Sequence, residues 1–170
     1  MEPIREETNT QKFCRLVKDY ALRDKSYRAA LHHAFGHPLR TQRTDAWMAF
    51  YRAFDQVNLP KSAEEDAYFI AGLICSQEEG ESIFFTEAIN RLPDNAYSSA
   101  MHRLRELLPV HHHEVLHKKL FGLIRYIESK ETVVIKPSYL LDDLLAWNKP
   151  THDVQRKWLR NIREPESSES

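Results

Sequence analysis

His113-Glu114-Val115-Leu116-His117 reproduces H-E-x-x-H, the pattern in which two imidazoles one helical turn apart hold zinc and the glutamate activates a water. That chemistry needs a helix. Leu116, Leu120, Leu123, Ile124 and Ile127 supply one, because they fall on a single narrow seam at helical spacing from about His113 to Glu128. Four features argue against a metal centre. The chain has nine histidines, and His111 and His112 directly precede the motif, so the region is simply histidine-rich. No spacing singles out a third ligand among Glu128, Glu131, Asp142, Asp143 and His152. No upstream strand is placed to align a substrate. Lys118 and Lys119 follow the second imidazole and repel a divalent cation. The sequence therefore predicts no metal and no cofactor, and a zinc-dependent hydrolase stands as an alternative. There is no glycine-rich phosphate loop, no G-x-S-x-G, and no cysteine set near a histidine by helical spacing. Asp142 and Asp143 cannot share a helix face. No catalytic residue emerges, and the protein is expected not to be an enzyme.

What remains is charge. The net value of −1 conceals segregation: residues 1–7 carry −2, 8–43 carry +6, 44–99 carry −7, 100–163 carry +5, and 164–170 carry −3. Local potential governs docking, so the two basic segments suit a polyanion and the acidic one suits a protein partner. On the helix after His113, Lys118 and Arg125 point almost opposite the apolar seam, while Lys119 and Tyr126 lie along one flank. Arg28 shares a face with His32, and Arg40 and Arg43 stand in the polar loop Gly36–Arg43. Trp47, Phe50, Tyr51 and Phe54 could stack on bases beside Arg52, but their spacing is that of a core face.

The elements that must position these residues are helices. Four glycines and no sustained alternation argue against an all-β fold, and 42% hydrophobic residues in a chain of 170 suffice for a core. Helices are expected over Thr10–Arg23, Tyr27–Phe35 with Ser26 as cap and Gly36 and Pro38 as stop, and through the aromatic stripe after a Thr44/Asp45 cap. Further helices are expected after a Ser62-Ala-Glu-Glu65 capping box, over Ile83–Leu92, over Ala100–Leu108, from Pro137 to Trp147, and after an Asp153 cap. On the last of these, Arg156, Arg160 and Arg163 share a stripe. Thr132–Ile135 reads as an extended connector. Residues 1–9 and the acidic tail 164–170 are expected to be disordered, leaving helical lobes at 10–95 and 96–163. Cys14 and Cys75 are expected as buried thiols. With no apolar window long enough for a span and no apolar signal core in Met-Glu-Pro-Ile-Arg-Glu-Glu, a cytoplasmic location is expected.

Four stretches resemble the CasB-type small subunit of the type I-E CRISPR surveillance complex, Cascade. They are Ala100-Met-His-Arg-Leu-Arg-Glu-Leu-Leu108, Glu114-Val-Leu-His-Lys-Lys-Leu120, Tyr139-Leu-Leu-Asp-Asp-Leu-Leu-Ala-Trp147 and Val154-Gln-Arg-Lys-Trp158. Lys25-Ser-Tyr-Arg-Ala-Ala-Leu-His-His-Ala34 is similar to the family's N-terminal element, with Leu31-His32-His33 where that family usually has Leu-Arg-Arg. The resemblance implies an all-α subunit of two small packed lobes, without catalytic activity, steadying the target and displaced strands of an R-loop. Implied partners are the backbone and large Cascade subunits, a second copy of itself, guide RNA and target DNA, with no membrane. By the resemblance Arg28, Arg103, Lys118 and Lys119 touch nucleic acid. Exposure on the basic segments adds Arg40, Arg43, Arg105 and Arg125. A helical adaptor that binds only proteins is the other alternative.

Overall fold

The computed structural model describes residues 6–41 and 43–162. Residues 1–5 of the expected N-terminal segment, Arg163 and the acidic tail lie outside that range. The described residues form nine α-helices, one 3-10 turn and one short parallel bridge, as expected of an all-α chain. None of these helices is long and apolar enough to cross a membrane. The elements group into two compact units: residues up to Glu78 with Pro137–Asp142, and Glu79–Lys136 with the segment from Asp143 on.

The first unit holds α1 (Asn9–Arg23), α2 (Lys25–Ala34), α3 (Thr44–Phe54), a 3-10 turn (Lys61–Ala63), α4 (Glu64–Ser76) and the start of α8 (Pro137–Leu145). Its core is aromatic. Phe50 stacks on Phe54 at 5.1 Å between centroids and meets Phe13 edge-on at 5.9 Å and Tyr68 at 5.4 Å. Burying each such ring contributes about 2–3 kcal/mol. Trp47 and Tyr51 tie the same helix to its surroundings by their polar ends: Trp47 Nε1 donates to the Leu39 carbonyl at 2.6 Å and Tyr51 Oη to Glu64 at 3.2 Å. The stripe is therefore a core face and not a base-stacking platform. Gly72 is a matter of space, since a Cβ there would sit 2.9 Å from Phe35 Cα.

Several caps differ from the sequence expectation. Thr8 and Gln11 form a reciprocal capping box that starts α1. Asp24, not Ser26, caps α2, accepting from the amides of Ser26 and Tyr27, because a carboxylate placed further out reaches both. α3 begins at Thr44 itself with Arg43 as N-cap and no side-chain cap. The Ser62–Glu65 box does not close, since the chain enters α4 through the 3-10 turn. Gly36, at φ 89°, ends α2 as expected.

The second unit holds β1 (Ser82–Ile83), α5 (Phe85–Asn90), α6 (Asp94–Leu107), α7 (His113–Lys130), β2 (Val134–Ile135), the end of α8, and α9 (Asp153–Asn161). The connector around Val134 is not bare. It pairs in parallel with β1, Ser82 against Val134 and Ile83 against Ile135, which also shortens the expected helix over 83–92. All five seam residues of α7 are fully buried. Trp147 and Trp158 meet at 5.1 Å, with Phe85 4.8 Å from Trp158. Trp147 Nε1 donates to the Val110 carbonyl at 2.7 Å, and Trp158 Nε1 donates to Asp143 Oδ2 at 2.8 Å. Asp143 also takes Lys157, so this one carboxylate fastens α8 to α9. His152, at φ 54°, stands at the N-cap position of α9 in place of the expected Asp153.

Candidate nucleic-acid interface

Of the expected cations in the first unit, Arg28 is engaged by its own fold. Arg28 projects from α2 to the C-terminal end of α4, where Nε donates to the Cys75 carbonyl at 3.2 Å and Nη2 to the Gln77 carbonyl at 2.9 Å. His32, one turn further, adds Nδ1 at 3.3 Å from the same Cys75 carbonyl. Helix ends leave carbonyls unpaired and carry partial negative charge, so a guanidinium fork is the side chain that fits there. Arg43 is half-buried with its Nε beside no acceptor, and its charge bears on the Tyr68 hydroxyl. Arg40 is exposed in the loop. Both cysteines are buried, and burial pushes each thiol up to about 12, so neither is a nucleophile.

The second unit presents the expected site cations differently. Lys118 and Lys119 are exposed and paired with no carboxylate among the described residues, and so is Arg105. Arg125 is exposed with Nη1 3.4 Å from Glu128, its guanidinium 5.3 Å from the Phe121 ring centroid. Arg103 crosses from α6 to α7 and stacks over Tyr126 at 4.7 Å. Tyr126 lies on the flank of Lys119, two turns along, so Arg103 and Lys119 border one strip of surface. Lys118 and Arg125 run along the outer ridge of α7 at roughly 100° from that flank. Arg105 is two residues from Arg103 and so turns to the other flank of α6. The second unit thus sorts its five expected cations into a strip, a ridge and an outlier.

Two further cations, neither among the expected site residues, rest on aromatic rings. Lys130 Nζ lies 5.7 Å from the Tyr126 centroid, and its i+4 spacing from Tyr126 was the available signal. Arg52 is exposed with its guanidinium 4.0 Å over Tyr20. Only the pairing of α1 with α3 reveals that stack.

The profile of the family described as CRISPR-associated protein Cse2 matches residues 27–161. No curated protein sequence matches the chain. Among solved structures, a Cse2-family CRISPR-associated protein from Thermus thermophilus is 19% identical with a TM-score of 0.73, over 91% of this chain and 97% of that one. CasB from M. ruber is 23% identical at a TM-score of 0.64, over 92% and 93%. A chain of a CRISPR RNA-guided surveillance complex is 21% identical at 0.69, over 90% of each. These likenesses establish a shared fold, and the profile spans well over half of the sequence: the chain belongs to the CRISPR-associated Cse2 family.

Proposed function

We propose that this chain is the non-catalytic small subunit of a type I-E Cascade complex in the cytoplasm, and that it grips the sugar–phosphate of the target and displaced DNA strands to stabilise the R-loop. The observation that carries the reading is the strip bordered by Lys119 and Arg103, with Lys118 on the adjoining ridge, both lysines outward-facing and without a carboxylate to neutralise them, in a chain of this family. A related fold occurs in a CRISPR RNA-guided surveillance complex, which supports assembly with backbone and large subunits, a second copy, guide RNA and target DNA. Arg105, Arg125, Arg40 and Arg43 extend the contact surface. Arg28 contributes the donors that its carbonyl partners leave over.

R-loop opening exchanges one duplex for another of similar stability, so contacts made only in the opened state can tip it. Lysines and arginines that displace condensed counterions give affinity without sequence choice, weakened steeply by salt. A few cations bind weakly alone and usefully in an assembly, where linked contacts add. In a gel shift, the isolated subunit should bind DNA weakly and salt-sensitively.

The deciding experiment replaces Arg103, Lys118 and Lys119 by Ala in the complex reconstituted with its partner proteins and guide RNA. Assembly should persist while permanganate-detected opening of target DNA falls. Full opening by the triple variant would instead assign the chain to protein-only adaptor work.

A further inference from the structure

The H-E-x-x-H stretch takes no part in a phosphate-gripping role, yet α7 gives it the geometry of a chelate. His113 opens the helix and His117 follows one turn later, so their side chains leave the axis roughly 40° apart. Both rings are half-buried at the edge of the apolar seam, with centroids 5.9 Å apart. A ring nitrogen of each lies within 4.8 Å of the other. Two imidazoles on one tetrahedral zinc hold their nitrogens about 3.3 Å apart. The gap to be closed is then at most about 1.5 Å, a distance that side-chain rotation covers.

The surroundings of His113 are polar. Asn148 Nδ2 donates to the His111 carbonyl at 3.3 Å and lies 2.9 Å from His113 Nε2. Asn148 is therefore a competing partner that a cation at Nε2 would displace. The lysines next in sequence do not share this face: Lys118 leaves the helix at roughly 100° from His117 and Lys119 at roughly 160°. The charge repulsion expected from adjacency in sequence is therefore weakened by direction.

We propose that His113 and His117 form a chelating pair for a divalent transition cation of the imidazole-preferring class, zinc or nickel, with the remaining positions taken by other ligands or water. Such an ion clips the first turn of α7, whose N-terminus has no side-chain cap of its own.

The test uses the full chain with any affinity tag removed, titrated with zinc chloride by calorimetry. One zinc per chain is expected, with a rise in Tm. His117→Ala should weaken binding by roughly tenfold or more, as should His113→Ala. Asn148→Ala, which removes the competing donor, should leave binding equal or tighter. His111→Ala with His112→Ala should leave it intact. Absence of binding by the unaltered chain overturns the proposal, and so does equal binding by His117→Ala, which would assign the ion to the His111-His112 run. His117→Gln, close in size, serves if circular dichroism shows that the alanine variant misfolds. The outcome is independent of target-DNA opening, so it stands or falls apart from the phosphate-binding reading.

Discussion

Arg28 and Lys118 carry the same charge on helices of the two basic segments of the sequence, yet the fold uses them differently. Arg28 is half-buried and directs two donors to carbonyls at the end of α4, whereas Lys118 stands on the outer ridge of α7 with no carboxylate beside it. The first unit turns its best cation inward to finish a helix. The second pairs Lys157 with Asp143 and leaves Lys118 and Lys119 to whatever approaches. Charge in a sequence marks a candidate, and the nearest acceptor decides whether that candidate is already occupied.

This contrast can be broken most directly at Arg28. Arg28→Ala should lower the stability of the isolated chain by about 2–3 kcal/mol in urea denaturation, because two charge-assisted bonds and a favourable helix-end charge are lost together. Arg28→Lys should recover only part, since an ammonium cannot fork onto both carbonyls. Lys118→Ala with Lys119→Ala should change the stability read from the same denaturation by less than about 0.5 kcal/mol. A stability loss there as large as at Arg28 would erase the distinction.

The proposed role predicts the converse in the assembled complex. The double lysine variant should weaken target-DNA engagement on the order of tenfold and flatten the log–log salt dependence by about 0.7 to 0.9 per lysine, read by filter binding at several salt concentrations.

A smaller effect sharpens the picture of the strip. Tyr126→Leu removes the ring under Arg103 and should cost about 0.5–1 kcal/mol of stability, while Tyr126→Phe keeps the stack and should be close to neutral.

The smallest expected change tests whether an exposed pair in the first unit matters. The Arg15 guanidinium holds the Glu7 carboxyl below its ordinary value. A depressed carboxyl stabilises the fold above its unfolded pKa, and that share disappears as pH falls through the folded one. The stability difference between Glu7→Gln and the unaltered chain should therefore shrink to nothing in acid, as followed by thermal melts across that range.

The seam Leu116, Leu120, Leu123, Ile124 and Ile127 was legible because helical burial repeats locally, and all five are fully buried. The same logic found the aromatic core face of α3, the stop at Gly36, and the buried thiols. Caps were less legible: Ser26 and Asp24 both satisfy the composition rule, and backbone direction chose Asp24. Arg103 and Arg105 were expected to act together, and that Arg103 alone rests on Tyr126 required α6 to pack on α7. The parallel bridge of Ser82–Ile83 with Val134–Ile135 joins runs too short to announce themselves as strands.

Residue order by itself determined the helices and their buried faces, because both depend on neighbours within a turn or two. It also placed the family-bearing stretches. Only the tertiary structure decided that Arg28 would meet the carbonyls of Cys75 and Gln77, and that Asp143 would bind the indole of Trp158 while the adjacent Asp142 accepts from Thr10. Those partners come from segments distant in sequence, and which of them meet is set by how whole helices pack, a property that no local period encodes.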